Sequence, residues 1–216
     1  MSFTYIKVSD GGLLNRLDSK GHTFGACMTT LEQDLMYVNI PKNASSWTKP
    51  NLKDLGWVDF NYHYDRFYRK HAMIVLRDPI NRWLSGICEY FALYHPTIDT
   101  SLFNSAFYDL LIDQVTVDDH TEKQFYFIEG LNYNRVTFFM CDENYRLDFS
   151  NFLKEHGYEN KYQRYDYQHT TKECPIRSKF KKIFESLLLE PKYLNKIKEH
   201  YKQDYELLES VKFYAR

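Results

Sequence analysis

Tyr37-Val38-Asn39-Ile40-Pro41-Lys42-Asn43-Ala44-Ser45-Ser46-Trp47 changes abruptly from a buried-strand pattern to a small, polar loop carrying one lysine and two hydroxyls. The apolar positions ending at Val38 and Ile40 fit a parallel strand buried on both faces. A helix opening at the serines would point its unpaired N–H groups at an anion. Lys42 adds a mobile positive charge, and Ser45 and Ser46 add hydroxyl donors and an N-cap for that helix. Strand, polar loop and helix in this order make a phosphate cradle.

Working outward, Ala72-Met73-Ile74-Val75-Leu76 is another continuous apolar run and leads straight into Arg77-Asp78-Pro79, with Pro79 placed for the first turn of a helix. Ile80, Trp83, Leu84, Ile87 and Phe91 give residues 79–94 one apolar helical face, and Phe103, Ala106, Phe107, Leu110 and Leu111 give the next helix the same. Arg135 to Met140 reads as a third buried strand, Phe149 to His156 as a helix ended by Gly157, and Pro191 to Ser210 as one long terminal helix. Near the start, Tyr5 to Val8 reads as a short strand, and Gly11-Gly12 and Gly21 to Gly25 as turns. Pro50 lacks the N–H that a helix interior needs, so a helix opening at Ser45 should be short or distorted. Strands alternating with helices predict one α/β domain over residues 1–216, with a mainly parallel sheet and helices on both faces.

Composition narrows the function. The net charge of −1 is not concentrated in a basic tail, so bulk attraction to nucleic acid is not expected. Cys27, Cys88, Cys141 and Cys174 are widely spaced, without a Cys-x-x-Cys pair or a histidine at metal-ligand spacing, so reduced thiols and no metal are expected. No apolar run approaches the ~18 residues of a membrane span, and no basic-then-apolar leader opens the chain. A cytoplasmic protein of bacterial or viral origin, without a membrane partner, is the expectation. The 19 tyrosines and 16 phenylalanines suit core packing, or stacking platforms for sugars and bases.

The pair Pro41-Lys42-x-x-Ser45-Ser46-Trp47 and, after the second strand, Arg77 with Ser85 eight residues on, resembles the two nucleotide-binding motifs of sulfotransferases that use 3′-phosphoadenosine 5′-phosphosulfate (PAPS). The wording Arg77-Asp78-Pro79-x-x-Arg82-x-x-Ser85 is closest to the carbohydrate branch of that family. His120-x-x-x-Gln124, Asn134 to Phe139 followed by Asp148 to Leu153 and Gly157, and Ile197 to Tyr205 with its Tyr201-x-x-Asp204 resemble later segments of that branch, in the same order. Ala44 stands where many members have glycine. The resemblance implies a P-loop-like sulfotransferase fold, with PAPS as co-substrate and 3′-phosphoadenosine 5′-phosphate (PAP) as product. It also implies that Lys42, Asn43, Ala44, Ser45 and Ser46 take the 5′-phosphosulfate and that Arg77 and Ser85 take the 3′-phosphate. Trp47 resembles the tryptophan that stacks on adenine, and reads equally as core packing.

Sulfuryl transfer needs a held donor, a positive charge at the leaving phosphate oxygen and a group to remove the acceptor's proton. Lys42 is the candidate for the leaving oxygen. Arg77, at a strand's carboxyl end where open α/β sheets bind ligands, offers a bidentate fork for a phosphate, or a structural ion pair with Asp78. Histidine is the natural base because its pKa lies near neutrality. In the family the base often lies between the two motifs, which favours His63 over the strand-bound His71. His120 is the second candidate, as base or substrate ligand, and Asp65 and Glu89 complete the set. Arg82 reads as structural. The acceptor, a small molecule or glycan, would be met by residues 51–70 and 94–134. Two other readings compete. One is a P-loop kinase-like phosphotransferase, for which no Gly-x-x-x-x-Gly-Lys-Ser/Thr is present. The other is a non-catalytic nucleotide-binding module of the same fold.

Overall fold

Residues alternate between two apolar layers along the central strands, and this alternation sets the architecture. Met36, Val38, Ala72, Ile74 and Leu76 pack on one side of the sheet with Phe127, Ile128 and Leu207. Leu35, Tyr37, Met73 and Val75 pack on the other with Leu52, Tyr145, Phe149 and Phe152. The computed structural model describes residues 23–30, 34–63, 71–129, 131–158 and 174–215. The expected strand at Tyr5 to Val8 and the turn at Gly11-Gly12 lie outside them.

The elements in chain order are β1 (Thr23–Thr29), β2 (Leu35–Val38), α1 (Ser45–Asp54), β3 (Val58–His63), β4 (His71–Leu76), α2 (Pro79–Tyr94), α3 (Ser105–Gln114), α4 (Gln124–Ile128), β5 (Val136–Met140), α5 (Tyr145–Glu155), α6 (Pro175–Leu188), α7 (Pro191–His200) and α8 (Lys202–Ser210). The five strands form one sheet in the order β3-β1-β2-β4-β5. Helices α4 and α8 therefore cover one face and α1 and α5 the other. A third core is mainly helical, built by Trp83, Ile87 and Phe91 of α2 against Phe180 and Phe184 of α6 and Ile197 of α7.

The sheet is mixed, which corrects the expectation of a mainly parallel one. β2 pairs parallel with β4, and β4 parallel with β5. β1 runs antiparallel to both β2 and β3. The reason is the short Thr30–Asp34 link, because a parallel pair needs a crossover of about a dozen residues or more. Gly25, expected in a turn, lies inside β1, where the pairing with β3 slips register between Thr23 and Ala26. A glycine inside a strand commonly marks such a bulge. The expected single helix over 191–210 is broken at Tyr201 (φ −93°, ψ 18°), whose buried ring is tied by its hydroxyl to the Thr121 carbonyl. α1 keeps ten residues with Pro50 inside it.

No helix among the described residues is long and apolar enough to cross a membrane.

Candidate anion-binding site

Because β2 and β4 are parallel neighbours, their carboxyl ends lie side by side, and the loops that follow them meet. After β2, Lys42 (φ 68°) and Ala44 (φ 60°) both adopt left-handed backbone on either side of Asn43. The Asn43 N–H closes the turn on the Ile40 carbonyl at 3.2 Å. Left-handed residues in a turn direct backbone N–H groups into a concavity suited to an anion. Ala44 holds this conformation with a Cβ, at a cost of about 1–2 kcal/mol relative to a glycine's freedom. Ala44 also occupies the N-cap of α1 and supplies no side-chain cap. Ser45 and Ser46 thus stand at the first two helical positions and not at the cap, which corrects their expected role. Ser46 is exposed and Ser45 half-buried.

A buried amide network joins the two loops. Asn43 Nδ2 donates to the Val75 carbonyl at 2.7 Å and to Gln124 Oε1 at 2.6 Å. Gln124 Oε1 also accepts from Arg77 N at 2.9 Å, and its Nε2 donates to the Arg77 carbonyl at 2.8 Å. Arg77 Nη1 reaches back to the Lys42 carbonyl at 2.9 Å. Asp204 holds Gln124 from behind, its two oxygens accepting from Gln124 N and Phe125 N at 2.9 Å each. Arg82 is wholly buried and donates to the carbonyls of Pro41 and Asp119 at 3.0 Å each, and to that of Glu122. Gly86 lets α2 pass against this segment: a Cβ there would stand 2.4 Å from the His120 carbonyl oxygen.

The charged groups converge at Lys42. Its Nζ lies 3.4 Å from Glu89 Oε2, and Arg177 Nη2 of α6 lies 2.7 Å from Glu89 Oε1. Burial pushes the Lys42 ammonium below the usual lysine range; Glu89 opposes that shift, while Arg177 and Arg77 add to it. Glu89, weighed as a base in the sequence, has both oxygens engaged by cations, an arrangement for a counter-ion.

The other candidates are placed as follows. Asp78 caps α2, Oδ1 accepting from Asn81 N at 2.8 Å, and this is its local role beside Arg77. Ser85 is half-buried in the second turn of α2. Trp47 meets Tyr145 and Phe149 edge to face, with centroids 5.6 and 6.2 Å away, and has the Arg146 guanidinium 5.8 Å from its ring centre. His63 ends β3, and its side chain lies outside the described set, as does Asp65. His71 is at the amino end of β4, with Nε2 2.7 Å from Thr137 Oγ1 and its ring stacked on Phe152; burial lowers its pKa.

His120 sits in the turn between α3 and α4, with Nδ1 2.9 Å from Asp118 Oδ2 and 3.2 Å from Asp119 Oδ1. A carboxylate on Nδ1 fixes the tautomer in which Nε2 accepts a proton. Asp118, Asp119 and His120 bring ligand-type atoms within 4.8 Å of one another, the grouping among the described residues with cation-binding chemistry. The Asp118 carboxylate already builds the turn, accepting from His120 N at 3.0 Å and Thr121 Oγ1 at 3.3 Å.

The sequence reading did not include Gln124 and Arg177 among the site residues. His120-x-x-x-Gln124 carried a signal for Gln124; Arg177 had none, because it meets Glu89 only through the packing of α6 on α2. Comparisons with protein-family models, curated proteins and solved structures find no match for this chain. What the site can do therefore rests on its own chemistry: cationic groups and a turn of backbone N–H groups gathered at one sheet edge can hold a multiply charged anion.

Proposed function

We propose that this chain is a PAPS-dependent sulfotransferase that moves a sulfuryl group to a carbohydrate hydroxyl. The observation that carries the reading is the Arg77 to Lys42 contact, which joins the two loops resembling the family's donor motifs at one carboxyl edge of the sheet. In this reading the cradle at residues 42–46 takes the 5′-phosphosulfate, Arg77 and Ser85 take the 3′-phosphate, and Trp47 borders the adenine. The bond between sulfur and the phosphate oxygen breaks as the acceptor oxygen bonds to sulfur. Lys42 stabilises the charge left on the phosphate oxygen. The acceptor's proton passes to His120 Nε2, with Asp118 holding the imidazole; His63 is the alternative acceptor.

The test is transfer of labelled sulfuryl from PAPS to a panel of sugars, phenols and peptides, followed by mass spectrometry, together with thermal shifts in PAP and in ATP with Mg²⁺. Stabilisation by PAP and a labelled sugar product are expected. Stabilisation by ATP with Mg²⁺ alone would replace this reading with a phosphotransferase. PAP binding without turnover on any acceptor would leave a nucleotide-binding module.

A further inference from the structure

Glu89 divides its carboxylate between two cations from distant parts of the chain. Oε2 faces Lys42 Nζ at 3.4 Å and Oε1 faces Arg177 Nη2 at 2.7 Å. All three side chains are shielded from water, with 20 %, 12 % and 25 % of the Lys42, Glu89 and Arg177 side chains exposed. Arg77 belongs to the same cluster through its bond to the Lys42 carbonyl. Two cationic side chains thus face one carboxylate while a third, Arg77, braces the same loop, and partly desolvated cations in such excess are stabilised by a further anion. Arg177 also keeps a donor unused: its Nε is buried and makes no hydrogen bond among the described residues. Arginine's fork suits two oxygens of one anion, and here Glu89 occupies only one arm of it.

We propose that Arg177 is a ligand of the anion bound at Lys42, and that the Glu89 carboxylate competes with that anion for the two cations. The proposal rests on the sulfotransferase reading only for the anion's identity, the donor's phosphosulfate. On binding, oxygens of the anion take the donors of Lys42 and Arg177 that Glu89 now holds, and Glu89 becomes a like-charged neighbour. Arg177 therefore favours binding and Glu89 opposes it, while Glu89 keeps the cations from repelling one another when no anion is present.

The test measures affinity of the full chain for two probes, PAP by calorimetric titration and inorganic sulfate by thermal shift. Glu89→Gln preserves shape and removes the competing charge, and should tighten both by about tenfold. Arg177→Ala should weaken both by about tenfold or more, with Arg177→Lys between it and the wild type. In the double variant the gain from Glu89→Gln should shrink, since part of it acts through Arg177. Unchanged or weaker sulfate binding in Glu89→Gln, or wild-type sulfate binding in Arg177→Ala, overturns the proposal. If circular dichroism finds Glu89→Gln unfolded, the two Arg177 variants decide on the same criteria. Sulfate binding that follows these changes while PAP fails to bind even the wild type would remove the nucleotide reading and leave the anion ligand standing. No response of the wild type to either probe removes both.

Discussion

Arg77 donates from Nη1 to the Lys42 carbonyl at 2.9 Å, so the arginine assigned to one phosphate also braces the loop assigned to the other. Removing the guanidinium should therefore act twice, through the lost phosphate contact and through a looser cradle. Arg77→Ala is expected to weaken PAP binding by roughly 1.5–3 kcal/mol, the value of a charge-assisted hydrogen bond. Adenosine 5′-phosphosulfate, which lacks the 3′-phosphate, should bind the wild type much less tightly than PAPS. Titration calorimetry checks both, and equal affinity for the two nucleotides would disprove the assignment of Arg77 and Ser85.

Chemistry and binding should separate at Lys42 and the histidines. A group that stabilises the leaving oxygen mainly in the transition state lowers kcat more than donor affinity when removed, and this is the expectation for Lys42→Ala. His120→Ala should leave PAP binding almost unchanged and cut turnover by roughly 10²–10⁴-fold. Asp118→Asn should lower turnover in the same direction by loosening the imidazole. If His63→Ala abolishes turnover while His120→Ala retains it, the proton passes to the β3 histidine instead.

Ala44 predicts a stability gain. Relief of left-handed strain, about 1–2 kcal/mol, outweighs the extra freedom a glycine gives the unfolded chain, about 0.5–1 kcal/mol. Ala44→Gly should therefore raise the urea midpoint slightly, with no change in slope. A fall of more than about 1 kcal/mol would mean that the methyl group's packing against the core beneath α1 and α5 matters more than the strain.

His200 predicts an acid limb. Burial, and then the nearby Lys123, lower its pKa from 6.5 to about 4. Above pH ~6.5 the imidazole is neutral in both states and adds no pH dependence. As pH falls from there towards about 4, the unfolded chain takes up a proton that the folded one refuses, so stability declines, and the decline levels off below that. With a discount for partial exposure, the loss is on the order of 1–2 kcal/mol. His200→Gln should flatten this limb in urea titrations between pH 7 and pH 4.5. An unaltered slope would place the acid sensitivity elsewhere.

The strands readable in the sequence were those buried on both faces. β2, β4 and β5 are short apolar runs, and an unbroken stretch such as Ala72 to Leu76 has the length of a buried strand and not of a buried helix. β3 was missed although Val58, Phe60 and Tyr62 alternate with polar residues, because an edge strand with polar positions resembles a loop. The mixed pairing was missed because it follows from the length of the Thr30–Asp34 link and not from the composition of any strand. In the site, Lys42 and Arg77 were legible because each follows a buried strand directly. Glu89 and Arg177 meet across two helices, 88 residues apart, and nothing local in either segment announces the other.

The Arg82 side chain is shared among three carbonyls, one before the cradle and two in the turn ahead of α4. If either segment lifted away alone, a fully buried guanidinium would be left short of acceptors, a penalty set by burial of charge and not by the strength of any one bond. Breathing motions of residues 41–44 and 119–124 are therefore coupled into a single opening event. Their amides should lose protection against solvent deuterium at a common free energy, even though 74 residues of chain separate the two stretches.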